Sequence, residues 1–189
     1  MKTLRLAIAA LLLASCAAPK LVGTEFTPTV APGFTLTDGI SGKPITLSAQ
    51  HGKVVVLSFL YTHCPDTCPL TAETFRKARQ QLSDDERAHT LFVAVSVDPQ
   101  RDTPQAVQAF AREHGLAAGF VFLVGGAAQL QPVWSAYSIG VETDPTATGV
   151  GHNDAIYLVD TKGQVRVLTH SDITPDALAG DVKLLYGER

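Results

Sequence analysis

Residues 54–70 read VVVLSFLYTHCPDTCPL, and this stretch decides the fold. Val54 to Leu60 is an apolar run rich in β-branched and aromatic side chains, with Ser58 its one polar member. Such a run reads as a strand buried on both faces, as inside a parallel sheet. It passes directly into Tyr61-Thr62-His63-Cys64-Pro65-Asp66-Thr67-Cys68-Pro69, and a helical pattern occupies Thr71 to Leu82. Two cysteines therefore stand where a buried strand becomes a helix. In open α/β sheets the carboxyl ends of the strands are where ligands and chemistry are placed.

Working outward, Ser83 to His89 is a polar break, and Leu91 to Val97 a second buried strand ending at Asp98-Pro99. Thr103 is an N-cap with Pro104 at the first helical position of a helix reaching about His114. Phe120 to Val124 is a short apolar segment, Leu130 to Tyr137 is weakly helical, and Thr143 to Gly151 is a loop with few apolar anchors. Trp134 and Tyr137 within this region read as core packing. Ala155 to Asp160 and Gln164 to Leu168 are strands joined by the turn Thr161-Lys162-Gly163, and Thr174-Pro175 caps a final helix to about Tyr186. Upstream, Phe34 to Thr37 and Pro44 to Leu47 alternate about Asp38-Gly39 and Ser41-Gly42, a hairpin signal. A βαβ unit followed by an antiparallel hairpin and a closing helix is the thioredoxin arrangement. The expected fold is thus α/β and thioredoxin-like, a central mixed sheet with an extra N-terminal β-hairpin and a middle insertion.

The chain has 189 residues, which suits one domain with a full core. Its net charge of -3 carries no suggestion of nucleic-acid binding. Lys2 and Arg5 precede an apolar run, Leu6 to Ala14, too short to span a bilayer. The run ends in Leu13-Ala14-Ser15-Cys16, the pattern of a bacterial lipobox. Residues 1–15 are expected to be a lipoprotein signal peptide, with Cys16 carrying lipid; an ordinary secretory signal cleaved nearby is the alternative. Either exports the protein, and loss of Lys2 and Arg5 leaves a charge of -5. Residues 16–32 contain Pro19, Pro28 and Pro32 without periodicity and read as a lipidated tether, reaching at most about 50 Å. The domain proper is 33–189. The expected location is the outer, periplasmic or extracytoplasmic face of the bacterial cytoplasmic membrane.

With Cys16 assigned to lipid, Cys64 and Cys68 remain in an oxidising compartment. A disulfide between them closes too short a loop to stabilise much by chain entropy. Redox switching or metal binding suits the pair better. Residues at i and i+4 of a helix have Cβ atoms roughly 5–6 Å apart, close enough for both sulfurs to reach one metal. A helix N-terminus near Asp66 favours thiolate. The C-x-x-x-C spacing departs from the C-x-x-C of thioredoxins by one residue. Among His51, His63, His89, His114, His152 and His170, His152 is the candidate third ligand: it follows Gly149-Val150-Gly151 and precedes a buried strand whose start lies, in this fold, beside the first helix turn. Two thiolates and one imidazole suit Cu(I), whereas Zn²⁺ wants a fourth ligand, for which Asp66 and Asp98 are available.

His63-Cys64-Pro65-Asp66-Thr67-Cys68-Pro69, then Ser96-Val97-Asp98-Pro99-Gln100-Arg101-Asp102-Thr103-Pro104, then His152 before Ile156-Tyr157-Leu158-Val159-Asp160, together resemble the Sco/SenC family. The resemblance covers about Phe34 to Tyr186. It implies a thioredoxin-like fold and copper held by Cys64, Cys68 and His152, with Asp98 in support. Cu(I) is the expected state, Cu(II) being left open. It also implies a metallochaperone serving the CuA centre of cytochrome c oxidase subunit II, with other periplasmic copper carriers as conceivable partners. One departure is Gly151, where the family often has an acidic residue before the histidine; Asp154 is a substitute. A second reading is a thiol–disulfide oxidoreductase that keeps the oxidase subunit's copper-ligand cysteines reduced, with Cys64 attacking and Cys68 resolving.

Overall fold

The computed structural model describes residues 20–116, 118–143 and 149–189. The expected signal peptide, residues 1–15, and Cys16 lie outside the described residues. In chain order the strands and helices are β1 (Thr24–Val30), β2 (Thr35–Asp38), β3 (Pro44–Thr46), β4 (Val54–Leu60), α1 (Thr67–Gln80), α2 (Asp84–Ala88), β5 (Thr90–Ser96), α3 (Pro104–Glu113), β6 (Phe120–Val124), α4 (Ala127–Ala136), β7 (Val141–Thr143), β8 (Val150–His152), β9 (Ile156–Val159), β10 (Gln164–Thr169) and α5 (Pro175–Gly187). One eight-stranded mixed sheet runs β1-β10-β9-β4-β5-β6-β2-β3, and β7 and β8 form a separate two-stranded ladder.

The apolar runs explain the centre of the sheet. All seven residues of β4 and of β5 are buried, and the two strands pair in parallel from Val54↔Thr90 to Leu60↔Ser96. β6 extends the parallel set beside β5, while β9 lies antiparallel against β4 and β10 antiparallel against β9. Helix α1 buries Cys68, Thr71, Ala72, Phe75 and Ala78, one stripe at three- and four-residue spacing. Phe75, Phe92, Phe122 and Leu57 are among the largest fully buried side chains, each worth roughly 1.5–3 kcal/mol of burial. The β2–β3 hairpin forms as expected and also joins β6 through Thr37↔Val124 and Asp38↔Leu123.

Four local features differ from the sequence reading. Residues 24–30, read as tether, are strand β1, paired antiparallel to β10. Every residue of β1 is exposed, so it carries no apolar alternation, and its pairing shifts register between Glu25 and Thr29, where Pro28 sits. Helix α1 starts at Thr67, four residues before the apolar pattern does, because Asp66 caps it by accepting the Thr67 N–H. Pro69 falls in the first turn, where a missing N–H costs nothing. The polar break contains α2, held by a Ser83–Glu86 capping box and burying none of its residues. The span read as a loop before His152 has ordered ends, β7 and β8, paired from Val141↔His152 to Thr143↔Val150; residues 144–148 lie outside the described residues.

Candidate metal and thiol site

The site is built where β4 gives way to α1. Cys64 sits in the connecting loop, 8% exposed, and Cys68 is the second residue of the helix, fully buried. Both are free thiols. The Cys64 sulfur accepts the Cys68 N–H at 3.3 Å and lies 3.5 Å from the Thr67 hydroxyl. It also lies 3.9 Å from an Asp66 carboxylate oxygen. The Cys68 thiol donates to Cys64, and this above all draws the Cys64 pKa down from 9.0 to about 4, helped by the Thr67 hydroxyl and the N–H groups of Asp66 and Cys68 and opposed by burial. Cys68 is pushed upward by the same bond and by burial. The pair thus holds one proton between two sulfurs, with the charge on the outer one.

His152 ends β8 and is half-buried. Its Nδ1 lies 3.1 Å from the Asn153 carbonyl oxygen. A carbonyl only accepts, so Nδ1 is the donor, and in the neutral tautomer Nε2 is the nitrogen left with a lone pair. Cys64 and His152 line one cleft of about 220 Å³, with Tyr61, Asp66, Thr67 and Asp154. Tyr61 stands between the two: its ring meets the imidazole edge-on at 6.0 Å, and its hydroxyl bonds both the Cys64 thiol and the Val150 backbone. Cys68 lies beneath the cleft, not on its lining. Among the described residues no three His, Cys, Asp or Glu groups converge closely enough to hold a metal ion. The structure therefore brings Cys64 and Cys68 together and sets His152 across the cleft from them.

Asp98 does not line the cleft. It is buried after β5 and pairs with Arg101, whose guanidinium lies 5.9 Å over the Tyr61 ring. Asp66 lines the cleft as the helix cap. Asp154 lines it too, with its carboxylate accepting the Ser171 N–H at 2.6 Å. Opposite Gly151 stands Glu142 on β7; a Cβ at Gly151 would meet it at an ordinary 3.7 Å, so the glycine is not forced by space. His63 contacts Thr62 at 2.9 Å, His89 stacks on Tyr186 and His114 lies tilted against Phe110, all apart from the cleft lining. Trp134 and Tyr137 are core residues, the indole donating to the Ser96 carbonyl at 2.9 Å.

Two contributors were not assigned from sequence. Tyr61 carried no signal beyond ending an apolar run. Asp102, 4% exposed, accepts the Thr62 N–H at 2.8 Å, the Thr62 hydroxyl at 2.7 Å and the Ser96 hydroxyl. It ties the loop before Cys64 to the end of β5, and burial lifts its carboxyl above the usual range. Its place in Asp98-Pro99-Gln100-Arg101-Asp102 was visible, but a pairing 40 residues away was not.

Comparison with known proteins gives a consistent picture. The family model described as SCO1/SenC matches residues 22–187. Protein SenC of Rhodobacter capsulatus is 31% identical over 156 residues, covering 75% of this chain and 68% of that protein. The solution structure of apo Sco1 from Thermus thermophilus superposes with a TM-score of 0.75 at 25% identity, covering 89% of this chain and 97% of that one. The structure of Bradyrhizobium japonicum ScoI with copper bound superposes with a TM-score of 0.69 at 29% identity, covering 83% and 99%.

Proposed function

This chain belongs to the SCO1/SenC family, and we propose that it is an exported copper metallochaperone that binds copper through Cys64, Cys68 and His152 and delivers it to the CuA centre of cytochrome c oxidase subunit II. The observation that carries this reading is the proton-sharing thiol pair on a helix N-terminus, facing across one cleft a histidine whose Nδ1 is engaged by a backbone carbonyl. Copper is cargo here. Two soft sulfurs and one imidazole suit three-coordinate Cu(I) and leave a position through which an acceptor's ligands can enter. Binding expels the proton held by Cys68, so uptake is proton-linked, and oxidation of the pair to a disulfide removes the donors.

In this reading residues 1–15 are the signal peptide and Cys16 carries the lipid that holds the domain on the outer face of the cytoplasmic membrane. No helix among the described residues is long and apolar enough to cross a membrane. The test is an anaerobic Cu(I) titration of the reduced protein against a competing chelator. One tightly held copper per chain, weakened at least tenfold in His152→Ala, is expected. Binding indifferent to His152 overturns the ligand set.

The low pKa of Cys64 above a buried partner favours one second reading, reduction of the acceptor's disulfide. The Cys64 thiolate attacks one sulfur of the partner disulfide, forming a mixed disulfide and releasing one partner thiolate. Cys68, as it gives up its proton, attacks the Cys64 sulfur and releases the second. Two electrons pass to the partner, and a Cys64–Cys68 disulfide remains. His152→Ala spares this exchange while abolishing tight copper binding, which separates the two readings.

A further inference from the structure

Among the described residues the exposed large apolar side chains are Val22 at 45%, Phe26 at 40%, Val30 at 76% and Leu70 at 63%. The first three fall within nine consecutive residues, on β1 and the segment leading into it. Strand β1 is also the outermost strand of the sheet. Edge strands are normally blunted by charge, but Glu25 is the single charged residue of Thr24–Val30. Beside the strand lies a groove of about 480 Å³ floored by Phe26, Val30, Tyr137, Tyr157 and Leu168. Pro28 and the register shift blunt the edge against another strand, but the exposed apolar side chains and the groove beside them still make a surface that calls for a cover.

The length of chain before β1 identifies the cover. Val22 is fixed to the domain, its N–H held by both carboxylate oxygens of Asp181 on α5 at 3.1 Å. Cys16 lies six residues earlier, so even a fully extended connection spans at most about 20 Å, against about 50 Å for the tether read from sequence. A lipid on Cys16 therefore enters the bilayer close to Val22. We infer that the β1 edge, with Val22, Phe26 and Val30, is the face on which the domain rests against the lipid surface. This rests on the reading that Cys16 is lipidated. Lys20, exposed just before the strand, stands at the level of the lipid phosphates.

The sheet topology then sets the height of the copper site. From β1 to β4 there are three strand spacings, or roughly 14 Å. Strands β1, β10, β9 and β4 alternate in direction, so the start of β1 lies toward the carboxyl end of β4, where Cys64 and Cys68 are. The thiol pair and the lipid-bearing end of the chain thus share one end of the sheet. The cleft stands a short distance above the bilayer and serves an acceptor that is itself membrane-bound.

The test uses the full chain, processed in cells, with the lipid on Cys16 verified by mass. The protein is placed in phosphatidylcholine vesicles with and without brominated acyl chains, which quench tryptophan on contact. Phe26→Trp and, separately, Val30→Trp report from β1; Lys43→Trp, exposed on the β2–β3 turn at the opposite sheet edge, is the control. Wild-type emission from buried Trp134 is subtracted. Emission from residue 26 or 30 is expected to fall at least about twofold, with none from residue 43, as for side chains at the acyl boundary. A verified lipid with no quenching at 26 and 30 overturns the face and leaves the anchor standing, as does equal quenching at all three sites. Loss of quenching as lipidated chains associate through β1 overturns it in favour of a dimer. Absence of lipid on Cys16 removes the premise and overturns both.

Discussion

The Asp181→Asn substitution tests how the lead-in to β1 is held. Asp181 is 1% exposed, and its carboxylate oxygens each accept the Val22 N–H at 3.1 Å. Burial pushes its pKa from 3.8 up to about 6, with the charge of Glu25 adding to the rise and the Val22 N–H opposing it. In the unfolded chain the group titrates at its ordinary value, so between those pH values the folded protein holds more proton than the unfolded one. Stability therefore falls as pH rises through this window and stays low above it. A rise of this size, in which the Val22 bond is already counted, is worth about 2–3 kcal/mol at 1.36 kcal/mol per unit. Asparagine has no charge to desolvate and keeps a carbonyl oxygen for Val22. The variant should be more stable than wild type by about 2 kcal/mol at pH 7.5, with the advantage gone near pH 4. Urea unfolding of both proteins at half-unit steps from pH 4 to pH 8 measures it. A difference that does not change with pH, or an asparagine variant less stable at pH 7.5 than at pH 4 relative to wild type, refutes the argument that a buried, ionised Asp181 burdens the fold.

Other outcomes follow from the site. In Cys68→Ala the Cys64 thiolate loses its largest stabilising donor, worth about 1.5–3 kcal/mol, so its pKa should climb by about 1–2 units; Cys68→Ser, which keeps a donor, should move it less, as read by the pH dependence of alkylation. Tyr61→Phe keeps the ring but removes the hydroxyl bonding Cys64 and the Val150 backbone. Loss of about 1 kcal/mol at that junction should speed amide exchange in β8 severalfold with little change in global stability, measured by hydrogen exchange with mass readout. Asp102→Ala leaves the Thr62 N–H and hydroxyl and the Ser96 hydroxyl without their acceptor. It should cost about 2–4 kcal/mol in urea unfolding and quicken alkylation of Cys64, because the loop before it is no longer tied to β5.

What the sequence made legible was whatever the core dictates. Val54–Leu60 and Leu91–Val97 are apolar because both faces are covered, so their burial and parallel pairing could be read directly. The Thr103-Pro104 and Thr174-Pro175 signals marked the starts of α3 and α5 to the residue, since an N-cap side chain bonds within three positions of itself. Elements that bury nothing were invisible to this reasoning. Strand β1 exists through backbone bonds to β10 and the Asp181–Val22 contact, partners more than 130 residues away in sequence. Helix α2 buries none of its residues and rests on a capping box, an Asp84–Arg87 ion pair and the Asp85 bond from Tyr186. At the site, Cys64 and Cys68 were legible by spacing, as local geometry fixes them. Tyr61 and Asp102 were not, because each also acts through a distant partner, Val150 and His152 for Tyr61 and Thr62 for Asp102, that only the fold brings close.

The same division bears on how the proposed site could both hold and release copper. Cys64 and Cys68 are set by one helix start, anchored to the most buried strand of the sheet, so their spacing hardly changes without unfolding. His152 comes from a different structure, the end of a two-stranded ladder of three residues each, paired outside the main sheet. A ladder that short is marginal by itself, and its attachment beside the thiols includes the Tyr61 hydroxyl and the edge contact of its ring with the imidazole. In the proposed copper site two ligands would thus be fixed and one carried on a weakly held arm. Withdrawal of that arm breaks one metal–ligand bond at a time while the thiol pair keeps its shape, the order of events that stepwise exchange into an acceptor requires. A rigid three-ligand site would bind more tightly and give up its copper more slowly. Cross-linking β7–β8 to the main sheet should accordingly raise Cu(I) affinity while slowing transfer to a competing chelator, and faster transfer from the cross-linked protein would refute this division of labour.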